Sequence, residues 1–443
     1  MKRLRILFII VVGIFLYSIA LSSFVRNLYL APDTNAQWGI AGDAVKFMAN
    51  LPSQVKQAFE APGFYVGNST AKDGLTLVSQ VSDTVDYPNL LVSYKTKPFG
   101  QEFELLEVPS GASIRKWAPD NAELFERAFN EADPRKPPKG SDLHFMHALM
   151  LKDSSLIMNS QITSLLTRIG KDNSIMWISN DRNYHHTSEL GPDGTVWVCS
   201  RPFQATQLPF LPDTEEARSA FMDDALTRID PDTGEILFEK SVSQILIENG
   251  YGGLIVQKGQ IISDPIHLND IQPAYSTTEY WNRGDLLVSC RNISTVFLYR
   301  PSEDKILWIQ QGPWQNQHDA DFVDGQSISI FGNDILREES TIDPKITTKN
   351  LFFPPSGGTN EIYLYNFEND SVTTPYSKLM EAEGINTTTS GRSEILANGD
   401  IFVEDTNNGR IIIGDSARSK MEYVKRIDDE HISSLFWSRM IKN

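Results

Sequence analysis

His186-Thr187-Ser188-Glu189-Leu190, His267-Leu268-Asn269-Asp270-Ile271 and His318-Asp319-Ala320-Asp321-Phe322 share one pattern: a histidine, an acid three positions on, then an apolar residue. Each copy continues through a polar stretch containing Asp-Gly or Gly-Asp into a strand-like run: Thr195–Cys199, Asp285–Ser289 and Gln326–Ile330. A repeat puts equivalent residues at equivalent points in space, so three histidines far apart in the chain are expected to converge on one axis.

Six hairpin-like segments accompany the pattern: Phe103–Trp117, Leu165–Trp177, Ala225–Phe238, Val296–Trp308, Ile362–Thr374 and Arg410–Val424. Most join two apolar strands through a polar turn such as Asp230-Pro231-Asp232-Thr233-Gly234. Each is preceded by a further apolar run, at Leu90–Tyr94, Leu156–Asn159, Val196–Cys199, Leu286–Ser289, Ile328–Phe331 and Ile401–Glu404. Six units of four short strands predict an all-β fold, a six-bladed β-propeller in which radial repetition protects the sheet edges. The first unit lacks an innermost strand and His431–Trp437 has no unit of its own, so joining the two is expected to close the ring. Uneven spacing predicts inserts: helices over Asn121–Glu131 and Thr214–Asp224, and a loop over Arg337–Pro355.

The chain has 443 residues, 40% of them hydrophobic, and a formal net charge of -17. Length and apolar content allow a large core. The acidic balance argues against nucleic-acid binding, which needs clustered Lys and Arg, and means that an anion site must supply its own local positive charge. Lys2, Arg3 and Arg5 precede an apolar run from Ile6 to Leu21, so residues 1–24 read as a signal anchor or signal peptide, a transmembrane or signal helix. The basic flank places the body on the far side of the membrane, periplasmic or otherwise extracytoplasmic. Ser18-Ile19-Ala20 is a poor cleavage signature, which favours a retained single-pass anchor; cleavage would give a secreted protein. Residues 25–85 read as a stalk or linker with a short amphipathic helix across Ala41–Ala61, where Val45, Met48, Val55 and Phe59 fall on one side, and residues 86–443 as the propeller. The two cysteines, Cys199 and Cys290, occupy related strands one position out of step, so they are expected to face opposite ways and stay unpaired.

In a propeller the innermost strand of each blade lines the central channel. His186, His267 and His318 stand at the start of that strand in three successive units, His147 holds the place in the unit before, and Gly391 holds it in a later one. His185 is expected to point away, because side chains alternate along a strand. Only seven histidines occur in the chain, so their gathering at one repeat position points to function. Arg291 follows the strand after His267, Arg201 holds the same place after His186, and Arg392 sits beside the vacant position. Guanidinium groups recognise tetrahedral oxyanions through forked hydrogen bonds. Glu189, Asp270 and Asp321 are expected to secure blade-to-blade packing or a neighbouring backbone rather than to touch a substrate.

At Asp264-Pro265-Ile266-His267-Leu268-Asn269-Asp270, then Ser289-Cys290-Arg291-Asn292, then Gln317-His318-Asp319-Ala320, with Asn398-Gly399-Asp400-Ile401-Phe402 later, the chain resembles the arylsulfate sulfotransferases across roughly residues 144–415. The resemblance implies a six-bladed propeller that moves a sulfuryl group from a phenolic sulfate ester to a phenol without a nucleotide sulfate donor. It implies His318 as the transiently sulfated nucleophile and His267 with Asn269 as the polar pair around the sulfate and leaving oxygen. It further implies Arg291 as the sulfate-binding arginine and His186 as an earlier channel histidine. Arg201, Arg392 and His147 are further candidates for substrate contact from their repeat positions. On chemical grounds a neutral imidazole can attack sulfur while a second protonates the departing phenoxide and an arginine offsets charge on the sulfuryl oxygens, with no metal or other cofactor required. The chain is shorter than the better-known bacterial members, shows no separate N-terminal β domain, and lacks a closely spaced cysteine pair found in some of them.

Two other classes remain open on the residues alone. One is a membrane-tethered propeller that binds a sulfated or aromatic ligand, or a partner protein, without chemistry, using Trp197, Trp308 and Trp314. The other is a metal-dependent lyase or oxidoreductase, because a histidine cluster also suits zinc, copper or iron.

Overall fold

A computed structural model of the chain describes residues 65–67, 70–79, 85–96, 100–129, 144–160, 164–256, 259–334 and 359–442. The apolar run of residues 6–21, the amphipathic stretch 41–61 and the segment 337–355 lie outside the described residues. Among the described residues no helix is long and apolar enough to cross a membrane.

Six antiparallel sheets form the blades of a propeller. Blade 2 runs outward through Phe145–Met150, Leu156–Ser160, Leu165–Ile169 and Ile175–Ser179. Blade 3 uses His185–Leu190, Val196–Ser200, Ala225–Ile229 and Ile236–Ser241. Blade 4 uses Leu268–Pro273, Leu286–Cys290, Thr295–Arg300 and Lys305–Gln311. Blade 5 uses Asp319–Phe322, Ser327–Gly332, Glu361–Asn366 and Ser371–Thr373. Blade 6 uses Arg392–Ile395, Ile401–Asp405, Arg410–Gly414 and Ser419–Val424. The expected inserts form short helices, Asn121–Ala128 capped by Asp120 and Glu215–Ala220 capped by Thr214.

Blade 1 is closed by the C-terminus, two residues beyond the expected place. Arg439–Ile441 pairs with Asn89–Thr96 and supplies the missing innermost strand. His431–Ser433 instead pairs with Tyr65–Gly67. Gly74–Leu77 adds a fifth, outer strand to blade 6 alongside Ser419–Val424. Both of these early strands fall in the stretch read as linker, and the compact unit reaches back to Tyr65.

Alternation along the strands builds the cores between blades. Val196 and Val198 of blade 3 pack with Ile157 and Trp177 of blade 2, while Trp197 and Cys199 pack with Val288, Cys290 and Phe297 of blade 4. The two thiols are therefore free, as expected, yet they share one buried core. Opposite faces of consecutive sheets are the faces that look at each other, so being out of step brings the cysteines to the same interface.

Carboxylates tie four of the six inner strands to the blade before them. Asp224 Oδ2 accepts the Leu268 amide at 2.7 Å, Asp270 Oδ2 that of Ala320 at 2.9 Å, and Asp319 Oδ2 that of Ser393 at 2.9 Å. Glu404 completes the series by accepting the amides of Trp437 and Ser438 at 2.9 and 2.5 Å, where the C-terminus closes the ring. Asp270 thus does what its place in the repeat suggests. Glu189 reaches instead to Arg439, at 2.5 Å, and Asp321 lies 3.8 Å from Arg392. Stranding a buried donor costs about 1–3 kcal/mol, more where the lost partner is charged. Glu404→Ala is therefore expected to lower the unfolding free energy by about 2–4 kcal/mol in a urea titration, and a change within about 0.5 kcal/mol would show that the closure does not depend on it.

Candidate functional site

The histidines reach the axis through an unusual backbone. His147, His186 and His267 adopt φ of 54°, 51° and 54°, and Trp437 and Gly391 do so at the corresponding places in blades 1 and 6, with φ of 63° and 91°. Non-glycine residues rarely occupy this left-handed region, which costs on the order of 1–3 kcal/mol each. Register shifts accompany the turn, between Met146 and Leu149, His185 and Ser188, and Leu268 and Asp270. In blade 5 the left-handed residue is Asn316, φ 52°, and His318 follows it in ordinary conformation.

Four rings meet as a result. The centroids of His186 and His267 lie 5.1 Å apart, those of His186 and His318 6.1 Å, and those of His147 and His186 5.9 Å. A cavity of about 250 Å³ opens beside two of them, lined by Ser164, Asn183, Tyr184, His185, His186, Arg201 and His267; His318, His147, Arg291 and Asn269 are not in its lining.

Hydrogen bonds at Nδ1 define the tautomers. Asn333 donates through Nδ2 to the Thr387 and Ser390 carbonyls at 3.1 and 2.9 Å, which turns its Oδ1 toward His318. That oxygen lies 2.6 Å from His318 Nδ1, so Nδ1 must be the donor and Nε2 carries the lone pair. His267 Nδ1 donates to Asp264 Oδ2 at 2.6 Å, with the same consequence for its Nε2. His185 and His186 face each other through Nδ1 at 2.9 Å. His185 Nε2 sits 3.2 Å from Asp224 Oδ1, close though poorly aligned. The carboxylate favours the proton on that nitrogen, which makes His185 Nδ1 the acceptor, His186 Nδ1 the donor and His186 Nε2 the bare atom.

Burial keeps the His147, His185, His186 and His318 rings neutral. It pushes the His318 imidazole down to about 4 against the opposing pull of the Asn333 hydrogen bond. His186 is held well below the usual imidazole range by burial and then by its histidine neighbours, and His147 by burial and then by Arg439 and Arg392. Burial also lowers His185. Asp224 goes the other way: although burial opposes ionisation, Arg201 and His185 hold its carboxyl well below the normal range.

Of the arginines, Arg201 lines the cavity and donates from Nε to Asp224 at 2.7 Å. Arg291 is buried at the end of the second strand of blade 4, where its amide donates to the His267 carbonyl at 3.1 Å. Its Nη1 donates to Asn292 Oδ1 at 3.1 Å, and its Nε is buried without a hydrogen-bond partner. Arg392 lies elsewhere, stacked over Trp437 at 5.4 Å and within 3.7 Å of Asp319, lining a separate cavity of about 650 Å³ with Glu189, Asp321 and Arg439. His147 packs on Trp437 at 4.0 Å, fully buried, with both nitrogens unpartnered. Asn269 spends its Nδ2 on the Gln317 carbonyl at 2.6 Å, fixing the backbone just before His318, and leaves Oδ1 buried and unpaired.

One expectation is corrected. His185 does not point away: it lines the same cavity as His186, because the left-handed turn at 186 breaks the alternation of the strand. Asp264, Asp224 and Asn333 received no role from the sequence. Asp264 was visible three residues before His267, and Asn333 follows the second strand of blade 5 as Arg201 and Arg291 follow theirs. Among the described residues, no three His, Cys, Asp or Glu side chains are arranged to hold a metal ion.

The architecture and axial cluster define a six-bladed propeller with a histidine-lined pocket. Residues 147–426 match the arylsulfotransferase (ASST) family, and the chain belongs to it. No curated protein matches the chain. Similar solved structures include a protein of unknown function from Bacteroides caccae, at TM-score 0.46 and 10% identity over 79% of this chain and 98% of that one. Kuenenia stuttgartiensis hydrazine synthase follows at TM-score 0.40 and 8% identity, covering 76% and 80% of the two chains. A virginiamycin B lyase from Staphylococcus aureus gives 0.35 and 11%, covering 66% and 72%. At these values the structural neighbours add nothing to the functional reading.

The tautomer assignment has a direct readout in nitrogen and carbon NMR of labelled histidine. His318 is expected to carry its proton on Nδ1 and to stay neutral until the pH nears about 4. A neutral ring protonated on Nε2 would contradict the tautomer, and a midpoint near the free-imidazole value of about 6.5 would contradict the effect of burial.

Proposed function

We propose that the protein is an arylsulfate sulfotransferase that works by two displacements through a sulfated His318. The carrying observation is that the Nδ1 atoms of His318 and His267 are tied to acceptors, leaving Nε2 of each ring as the atom available for chemistry, with both rings beside His186 at 6.1 and 5.1 Å between centroids. His318 Nε2 attacks the sulfur of a phenolic sulfate; the N–S bond forms as the S–O bond to the phenol breaks. His267, carrying a second proton on Nε2 at that moment, gives it to the departing oxygen, and Asp264 stabilises the charged ring that held it. In the second half His267 takes the proton of an acceptor phenol, whose oxygen forms the new O–S bond as the N–S bond breaks. Arg291, with its buried unpaired Nε, is the group that offsets charge on the sulfuryl oxygens, and His186 contributes a further contact. Neutral His318 suits the role, since a protonated imidazole has no lone pair to offer.

The substrates are small-molecule phenolic sulfate donors and phenolic acceptors, and the scheme uses no cofactor. The basic and apolar N-terminus supports a retained membrane anchor with the propeller outside the cytoplasm.

Incubation with 4-nitrophenyl sulfate and phenol is expected to release nitrophenol with ping-pong kinetics, and His318→Ala to abolish release. The reading fails if the wild type turns over no member of a broad aryl sulfate and acceptor panel. His267→Ala and Asp264→Asn are each expected to lower kcat by about 10²–10⁴, the range for a lost or misprotonated acid–base group. An unchanged kcat in either would remove that residue from the proton path.

A further inference from the structure

We infer that Phe203, Met222, Ile261 and Ile262 form an apolar rim that seats the non-reacting hydrocarbon part of a bulky phenolic substrate. The inference rests on the sulfuryl-transfer reading and assigns it a substrate class. Two loops carry the rim, and both end in residues of the site. Phe203 stands two residues after Arg201, which lines the histidine cavity and whose Nη1 lies 3.4 Å from the Met222 sulfur. Met222 in turn donates its amide to the Ser263 carbonyl at 2.7 Å, which ties the first loop to the second. Ile261 and Ile262 run directly into Asp264, the carboxylate that holds His267.

Exposure and charge give the rim its character. Phe203 and Met222 are 40% exposed, Ile261 51% and Ile262 53%. Scattered apolar side chains on a surface need no explanation, but these four stand on two hydrogen-bonded loops that carry Arg201 and Asp264 of the site, a setting in which exposed apolar groups mark a binding surface. Gly259-Gln260-Ile261-Ile262-Ser263 carries no charge in a chain whose net charge is -17, which favours a neutral hydrocarbon over a charged partner. Size points the same way. A cavity of about 250 Å³ is small beside the roughly 300–1,000 Å³ of ordinary ligand pockets, so a substrate larger than one ring with its sulfuryl group must extend outward onto the rim.

The test compares phenol with 4-hexylphenol as acceptors, with 4-nitrophenyl sulfate as donor, in the full-length protein and in Phe203→Ser and the double variant Ile261→Ser/Ile262→Ser. Wild type is expected to favour the alkylphenol by about tenfold or more in kcat/KM, within the range that added methylenes earn in an apolar site. Each variant is expected to lose most of that preference through KM, with phenol turnover unchanged within about twofold. An equal loss for both acceptors, or no loss, overturns the inference. So does a change in sedimentation with selectivity kept, which would make the rim a contact between copies of the chain. Should the wild type transfer to no phenol, the sulfuryl-transfer reading fails separately, and calorimetric binding of 4-hexylphenyl sulfate against phenyl sulfate then decides the rim. Rim variants that bind the two alike, against a wild type that prefers the alkyl ligand, support it; an unchanged preference overturns it.

Discussion

An imidazole offers a lone pair at one nitrogen only while the other keeps its proton, and three different acceptors impose that condition around this propeller's axis. The Asn333 amide oxygen serves His318, the Asp264 carboxylate serves His267, and His185, biased by Asp224, serves His186. The choice of acceptor matters. An amide oxygen holds orientation without adding charge, so burial can keep His318 neutral. A carboxylate does more, because it welcomes a second proton on the ring it holds. In the proposed transfer this difference suits one ring to attack and the other to carry a proton.

The geometry behind this arrangement has a cost in backbone conformation. Left-handed residues at the head of the inner strands turn histidines toward the axis that a regular strand would send to either side. Such strain persists only when its surroundings over-determine it. Here the carboxylates that accept the amides of Leu268, Ala320, Ser393 and Ser438 hold four of the six inner strands from the neighbouring blade, and the Asn159 side-chain amide holds a fifth by donating to the His186 carbonyl. Asp270, one acid of the repeat, thus fixes the strand that follows His318, and Asp224, outside the repeat, fixes the strand that follows His267.

Much of this was legible in the chain. Period-two apolar runs between polar turns announce short strands, and a histidine recurring at one point of a repeat announces convergence, because both are consequences of translation along the sequence. What escaped was set by the third dimension. His185 was misplaced because alternation assumes a regular strand, and nothing in His185-His186 reveals that the second residue is left-handed. Asn333 carries no pattern of its own: its value comes from the two carbonyls that turn its amide, contributed by Thr387 and Ser390 more than fifty residues away. Arg392 shares a repeat position with the site yet stacks on Trp437 toward another cavity, since the C-terminal strand that brings Trp437 to the axis closes the ring from outside the repeat.

The central claim is that His318 Nε2 becomes bonded to sulfur. Intact-mass measurement under alkaline quench, after brief exposure to 4-nitrophenyl sulfate without acceptor, addresses it most directly. The account predicts one added sulfuryl group, mapped to His318, absent from His318→Ala and discharged on adding phenol. Turnover without any such adduct, or an adduct mapped to another residue, would contradict it.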